Sequence, residues 1–152
     1  MHDDLLIRCA TGADAADLTR IAHDAKRHWG YPEEWVRMWS RELTFTAEYI
    51  ERHEVWCAEA DGAPAAVIAW IGEGPTREID HLWVDPSAME QGLGRALFQH
   101  AIARMRGDGV ERVRIAADPH AVKFYERMGA TTVGRVPSIP EGRELPLMVI
   151  DL

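Results

Sequence analysis

The sequence predicts a mixed α/β fold in a single domain, residues 1–152, on three observations. Strand-like runs and amphipathic helical runs interleave along the whole chain. Two early strands meet at Asp61-Gly62, a two-residue hairpin signal. The later strands alternate with helices, and Gly92-Leu93-Gly94 opens one of those helices just beyond a strand that ends at Asp85-Pro86. A chain of 152 residues is long enough to bury a real core.

Each element has its own warrant. Residues 5–9 read as the first strand. Thr11 can cap a helix, with Asp14 in its first turn. Leu18, Ile21, Ala22 and Ala25 then recur at helical spacing. Gly30-Tyr31-Pro32 breaks that helix, and Pro32 can open the next, whose apolar face is Trp35, Val36, Met38, Trp39 and Leu43. Thr46 caps a short helix over 47–52. Residues 55–59 and 65–71 form the hairpin, and 78–84 a further strand. Leu93, Leu97, Phe98, Ala101, Ile102 and Met105 line one face of the following helix, which Asp108-Gly109 ends. Residues 110–116 read as a strand and 121–128 as a helix closed by Gly129. The last strands are 131–136 and 147–150.

Composition excludes several classes. A net charge of -8 lacks the basic footprint of non-specific nucleic-acid binding. It would suit a cationic substrate, although acidic surfaces commonly serve only solubility. No apolar run approaches the roughly 20 residues of a membrane span. The acidic start, Asp3-Asp4, is unlike a secretory leader. A soluble, cytoplasmic protein without nucleic-acid or membrane partners is the expectation. Cys9 and Cys57 lie in apolar strand-like runs and read as buried, reduced thiols, with no metal-ligand spacing. His23 and His28 read as surface residues.

The glycine pair carries the functional signal. A helix start presents N–H groups without helical partners, so it attracts anions, phosphate above all. Glycine lets the oxygens approach the backbone. The pattern therefore suggests a phosphate cradle for a nucleotide-like cofactor, with a ligand-free turn as the plain alternative. A Walker loop is a poor match, because Arg95-Ala96 follows Gly94. A dinucleotide fingerprint fits no better, because Leu97 stands where the third glycine belongs.

Two blocks, HLWVDPSAMEQGLGRAL and AADPHAVKFYERMGATTVG, together resemble the GNAT superfamily of acetyl-CoA-dependent N-acetyltransferases. In that family a Gln/Arg-x-x-Gly-x-Gly/Ala loop holds the pyrophosphate of coenzyme A. An Asn-x-x-Ala-x-x-Phe-Tyr-x-x-x-Gly helix brings a tyrosine to the thioester. The order of elements agrees along the whole chain. The resemblance implies a mixed, mostly antiparallel central sheet, splayed in the middle, with helices on both faces. Met89 stands where the family has Gln/Arg, so Gln91 or Arg95 could supply the polar contact. Asp118 stands where the family has Asn, and can still cap the helix that follows. The tail VPSIPEGRELPLMVIDL resembles one bacterial subgroup and carries no general chemical role.

The resemblance also implies a chemistry: direct attack of an amine on the acetyl thioester. That needs a base, an oxyanion donor and an acid. Tyr125 matches the family tyrosine and is the expected acid, with simple packing as its alternative. A backbone N–H near Leu82, Trp83 and Val84 is the expected oxyanion donor, and the pantetheine arm would pair with the same strand. Met89, Glu90, Gln91, Gly92, Leu93, Gly94 and Arg95 would surround the pyrophosphate, with Asp118 and Tyr125 also touching the cofactor. Glu78, Asp80 and His81 are the candidate bases. Period-two alternation puts Glu78 and Asp80 on one face and His81 on the other. An ion pair with Arg77, a core histidine, or ordered water in place of any base are the alternatives. Trp29 and Tyr31 flank a helix break and suit an acceptor pocket, as does Ser138 in a proline-bounded loop. Trp35 and Trp39 read as core.

The expected activity is transfer of acetyl from acetyl-CoA, the co-substrate, to a primary amine of a small molecule or protein, without a metal. Many relatives dimerise, so a homodimer is within the expectation. The alternative is a non-catalytic acyl-CoA-binding regulatory domain.

Overall fold

The computed structural model describes residues 5–152, so Asp3-Asp4 of the acidic start lie outside the described residues. Seven strands hydrogen-bond in the order β1-β2-β3-β4-β5-β7-β6. They are β1 (Leu6–Cys9), β2 (Glu54–Ala60), β3 (Ala63–Ile71), β4 (Thr76–Val84), β5 (Arg112–Ala116), β6 (Thr131–Pro137) and β7 (Glu144–Asp151). The helices are α1 (Ala15–His28), α2 (Glu33–Met38), α3 (Ala47–Arg52), α4 (Leu93–Gly107) and α5 (Val122–Arg127). β4 pairs with β5 in parallel, while β1–β2, β2–β3, β5–β7 and β6–β7 pair antiparallel. The sheet is therefore mixed and mostly antiparallel, as expected. The parallel pair needs a crossover connection, and α4 lies in it. The β4–β5 register covers Thr76↔Arg112 to Ile79↔Ile115, and β4 runs on to Val84. No helix among the described residues is long and apolar enough to cross a membrane.

The chain forms two compact units that share β4 and α4. The first takes the chain up to Trp70 together with His81–Gln99; the second takes Ile71–Asp80 and His100–Leu152. In the first, Leu18, Ile21 and Ala22 of α1 meet Val36, Trp39, Leu43, Phe45 and Ile50, and Val55, Cys57, Val67 and Ala69 of β2 and β3. Gly30 ends the α1 segment with a φ of 83°, a left-handed conformation that glycine adopts without a Cβ clash. Thr46 Oγ1 accepts from the Tyr49 amide at 3.0 Å and so starts α3. Asp61 and Gly62, with φ of 56° and 83°, make the predicted hairpin turn.

Three expectations for this unit fail. Met38 is 47% exposed. α2 ends there, and the chain reaches the buried Leu43 through turns, so helical spacing does not carry Met38 inward. Cys9 is exposed, because β1 offers its ends to solvent; Cys57 is buried, and burial raises its thiol to about 11. His23, expected at the surface, is half-buried, with Nδ1 2.8 Å from the Thr19 carbonyl and Nε2 3.2 Å from Ser40 Oγ.

In the second unit Ile102, Met105, Val113, Ile115 and Met148 are buried. β7 begins three residues earlier than expected, at Glu144. Pro146 argues against a strand because it has no N–H. Its carbonyl nevertheless accepts from Ala117 at 2.9 Å, and Pro146 holds register with Arg135. The helix expected over 121–128 is a short 3-10 turn, Pro119–Ala121, followed by α5.

Candidate functional site

The loop after β4 is fixed by Asp85. Its Oδ1 accepts from the Ser87 amide at 3.0 Å and the Ser87 hydroxyl at 2.9 Å, and its Oδ2 accepts from Arg20 Nη1 at 3.0 Å. Burial opposes ionisation of Asp85, but these donors outweigh it and hold the carboxyl below its usual range. The chain then passes through Pro86–Ala88, Met89, and two left-handed residues, Glu90 at φ 67° and Gly92 at φ 79°. α4 begins at Leu93, and Ala96 donates to the Gly92 carbonyl at 3.0 Å. The amides of Leu93, Gly94 and Arg95 precede that bond, so they stand at the open end of the helix. α4 carries no acid in its first turn. Gln91, Gly92 and Arg95 are exposed, Met89 and Gly94 half-buried, and Leu93 turns into the core. The residues expected at a phosphate are thus gathered in one loop, and their chemistry fits an anion.

On β4 the alternation holds: Ile79 and His81 are buried and Asp80 is exposed. Leu82, Trp83 and Val84 are half-buried. Trp83 Nε1–H donates to His81 Nδ1 at 2.9 Å. Indole nitrogen is only a donor, so the neutral His81 ring keeps its proton on Nε2. Phe45 lies 4.5 Å from the His81 ring. Glu78 faces Arg114 at 3.7 Å, not Arg77, with both side chains about 40% exposed (40% and 43%).

Trp29 and Tyr31 surround a lysine. The Lys26 ammonium lies 4.3 Å from the Trp39 ring centroid, 5.0 Å from Tyr31, 5.7 Å from Trp83 and 5.8 Å from Trp29. Lys26 is only 8% exposed. A desolvated cation gains about 2 kcal/mol or more from an aromatic face. Sequence reasoning missed Lys26, although it falls four residues after Ala22 and eight after Leu18, on the buried face of α1. Trp39, read as plain core, makes the shortest of these contacts.

The second unit holds the remaining candidates. Tyr125 on α5 is 6% exposed. Burial, and then the Asp118 carboxylate, push its phenol above the ordinary value, so the hydroxyl keeps its proton. Asp118 Oδ1 accepts from the His120 amide at 2.9 Å and lies 2.9 Å from His120 Nδ1. Its Oδ2 lies 3.6 Å from Arg143 Nη2. Ser138 Oγ accepts from Arg143 Nη1 at 3.3 Å. Arg143 was not singled out from the sequence; its position in the Gly-Arg-x-Leu-Pro tail was the available signal. Among the described residues no group of three His, Cys, Asp or Glu side chains could hold a metal ion.

The acetyltransferase (GNAT) family model matches residues 17–130. Serotonin N-acetyltransferase 2, chloroplastic, of Oryza sativa subsp. japonica is 30% identical over 129 residues, 80% of this chain and 58% of that protein. The chain therefore spans little more than half the rice protein. The ribosomal protein bS18-alanine N-acetyltransferase of Escherichia coli strain K12 is 29% identical over 119 residues, 76% of each chain. The crystal structure of PaiA N-acetyltransferase from Thermoplasma acidophilum in complex with coenzyme A superposes with a TM-score of 0.82 at 20% identity, covering 97% of this chain and 99% of that one.

Proposed function

The chain belongs to the acetyltransferase (GNAT) family, and from that premise we propose that it transfers acetyl from acetyl-CoA to a primary amine. The carrying observation is the loop from Glu90 to Arg95, whose left-handed Glu90 and Gly92 lead into the open N-terminus of α4. Met89 to Arg95 would hold the pyrophosphate. The amides of Leu82, Trp83 and Val84 would receive the pantetheine arm and the thioester carbonyl. Acetyl-CoA supplies the activated acyl group when bound; the structural neighbour from Thermoplasma was solved with coenzyme A.

The balance is simple. The amine nitrogen bonds to the acetyl carbon, the carbon–sulfur bond breaks, and the sulfur takes one proton while the amine loses one. Tyr125 is suited to give that proton in one respect: its buried phenol keeps the proton at neutral pH and so has one to donate to the departing thiolate. Solvent then returns the proton to the phenolate. Glu78, Asp80 or ordered water would take the amine proton. His81 is the least suited of the three side chains: Trp83 donates to its Nδ1, so the neutral ring carries its proton on Nε2 and offers a donor there rather than a base.

The acceptor is a small-molecule amine or an exposed protein amine, the two kinds that the rice and Escherichia names describe for those proteins. We further propose that it acts in the cytoplasm and can form a homodimer. The test is calorimetric titration with acetyl-CoA, with adenosine as control, followed by thiol release across a panel of amines. Saturable acetyl-CoA binding with amine-dependent thiol release is expected. Binding without release for any amine supports the regulatory-domain alternative, and no binding by folded protein overturns the reading.

A further inference from the structure

The tail from Ser138 to Pro146 carries a side chain, Arg143, that reaches the cap of the turn before α5. Its loop is closed by Ser138 N–H to the Arg143 carbonyl at 2.8 Å and Arg143 N–H to the Pro140 carbonyl at 3.0 Å. That closure aims the Arg143 side chain inward, where it is 13% exposed. One guanidinium nitrogen meets Ser138 Oγ at 3.3 Å and another meets Asp118 Oδ2 at 3.6 Å. Asp118, 9% exposed, uses its other oxygen to hold the His120 amide at 2.9 Å. That bond starts the Pro119–Ala121 turn, which runs directly into α5 and Tyr125.

We infer that Arg143 is a positioning residue for acetyl transfer: it clamps Asp118, and Asp118 sets the turn that carries Tyr125. The inference rests on the reading of Tyr125 as the acid. Two consequences of losing Arg143 point the same way. The Asp118 carboxylate would lose the guanidinium on its Oδ2 side in a nearly buried position, which favours its turning toward water and loosening its hold on His120. If it stayed, its negative charge would act on the phenol undiminished and make Tyr125 a weaker proton donor.

The first test needs no acceptor. Amide hydrogen exchange at His120 and along α5 is compared between the wild type and Arg143→Met. Exchange at least about tenfold faster there, with the amides of β2 and β3 unchanged, is expected if the guanidinium is the clamp. Equal protection overturns the inference.

The second test is a double-mutant cycle with Tyr125→Phe, read as thiol release from acetyl-CoA with hydroxylamine as the amine probe, above an enzyme-free blank. Arg143→Met is expected to lower kcat about tenfold with acetyl-CoA affinity held, Arg143→Lys to recover most of it, and Arg143→Met to add nothing once Tyr125 is Phe. Asp118→Asn keeps a capping side chain but removes the charge, and should likewise cancel the Arg143→Met effect. The same tenfold loss in the Phe background overturns the inference while leaving the acid intact. Unchanged turnover in Tyr125→Phe alone overturns the acid, and with it this role.

Discussion

At the scale of single residues, two buried charges show how the first unit spends its polar contacts. Arg8 holds Asp14 with two parallel bonds of 2.9 Å, and the Thr11 amide adds a third at 2.8 Å. The Arg8 bonds, opposed by burial and aided by Thr11, hold the Asp14 carboxyl at about 2. A depressed carboxyl stabilises the fold above its unfolded value, near 4, and that contribution disappears as pH falls through about 2. Arg8→Met should therefore lower stability by about 1–2 kcal/mol at neutral pH, and the gap between variant and wild type should narrow as pH falls from about 4 to about 2. Denaturant melts across pH 2–7 measure it; a gap independent of pH would sink the assignment. Lys26 poses a different question, because its ammonium fills an aromatic cage. Lys26→Ala should open that cage to an external cation, so tetramethylammonium should quench tryptophan fluorescence saturably in the variant and not in the wild type. Quenching of both alike would mean that the rings bind the cation elsewhere.

At the scale of elements, the N-terminus of α4 separates a helix requirement from a ligand requirement. Gly94 is the second residue of α4. A carboxylate in the first turn favours a helix by about 0.3–1 kcal/mol through the dipole, so Gly94→Glu should leave melting unchanged or slightly raised. The same charge opposes a phosphate at the same amides, so acetyl-CoA affinity should fall by about a hundredfold or more. Unchanged affinity in calorimetry would remove the cradle from the mechanism. Elements of this kind were legible in the sequence because their punctuation is local: Thr46, Asp61-Gly62, Gly30 and Gly129 each act within a few residues. β7 was misjudged at its start, since Pro146 gives the local signal of a break while Ala117, far off in sequence, supplies the bond that holds it. The candidate site divides the same way. The loop from Met89 to Arg95 and Tyr125 were expected from motifs, whereas the Lys26 cage and the Arg143–Asp118 contact join residues 57 and 25 positions apart at their widest, Lys26 to Trp83 and Asp118 to Arg143. No pattern in one sequence marks such pairs.

At the scale of the molecule, the two units are tied by chain continuity. β4 runs from the second unit into the first between Asp80 and His81, and α4 runs back between Gln99 and His100. Unfolding the second unit alone would strip the β5 ladder from Thr76–Ile79. It would also leave α4 with Leu93–Gln99, about two turns, which is too short to persist as a helix without support. The open amides at the head of α4 would be lost with it. The units should therefore unfold as one cooperative step. The sequence supplies a probe for this, because all 6 tryptophans lie in the first unit. Tryptophan fluorescence then follows that unit, while far-ultraviolet circular dichroism follows both. Coincident thermal midpoints, within about 2 °C, are expected for a two-state transition. A fluorescence midpoint several degrees above the dichroism midpoint would mean that the second unit melts first and that α4 survives on half its length. In that case Tyr125 would be lost from the fold while the cage around Lys26 persisted, and heat inactivation would track the dichroism curve rather than the fluorescence curve.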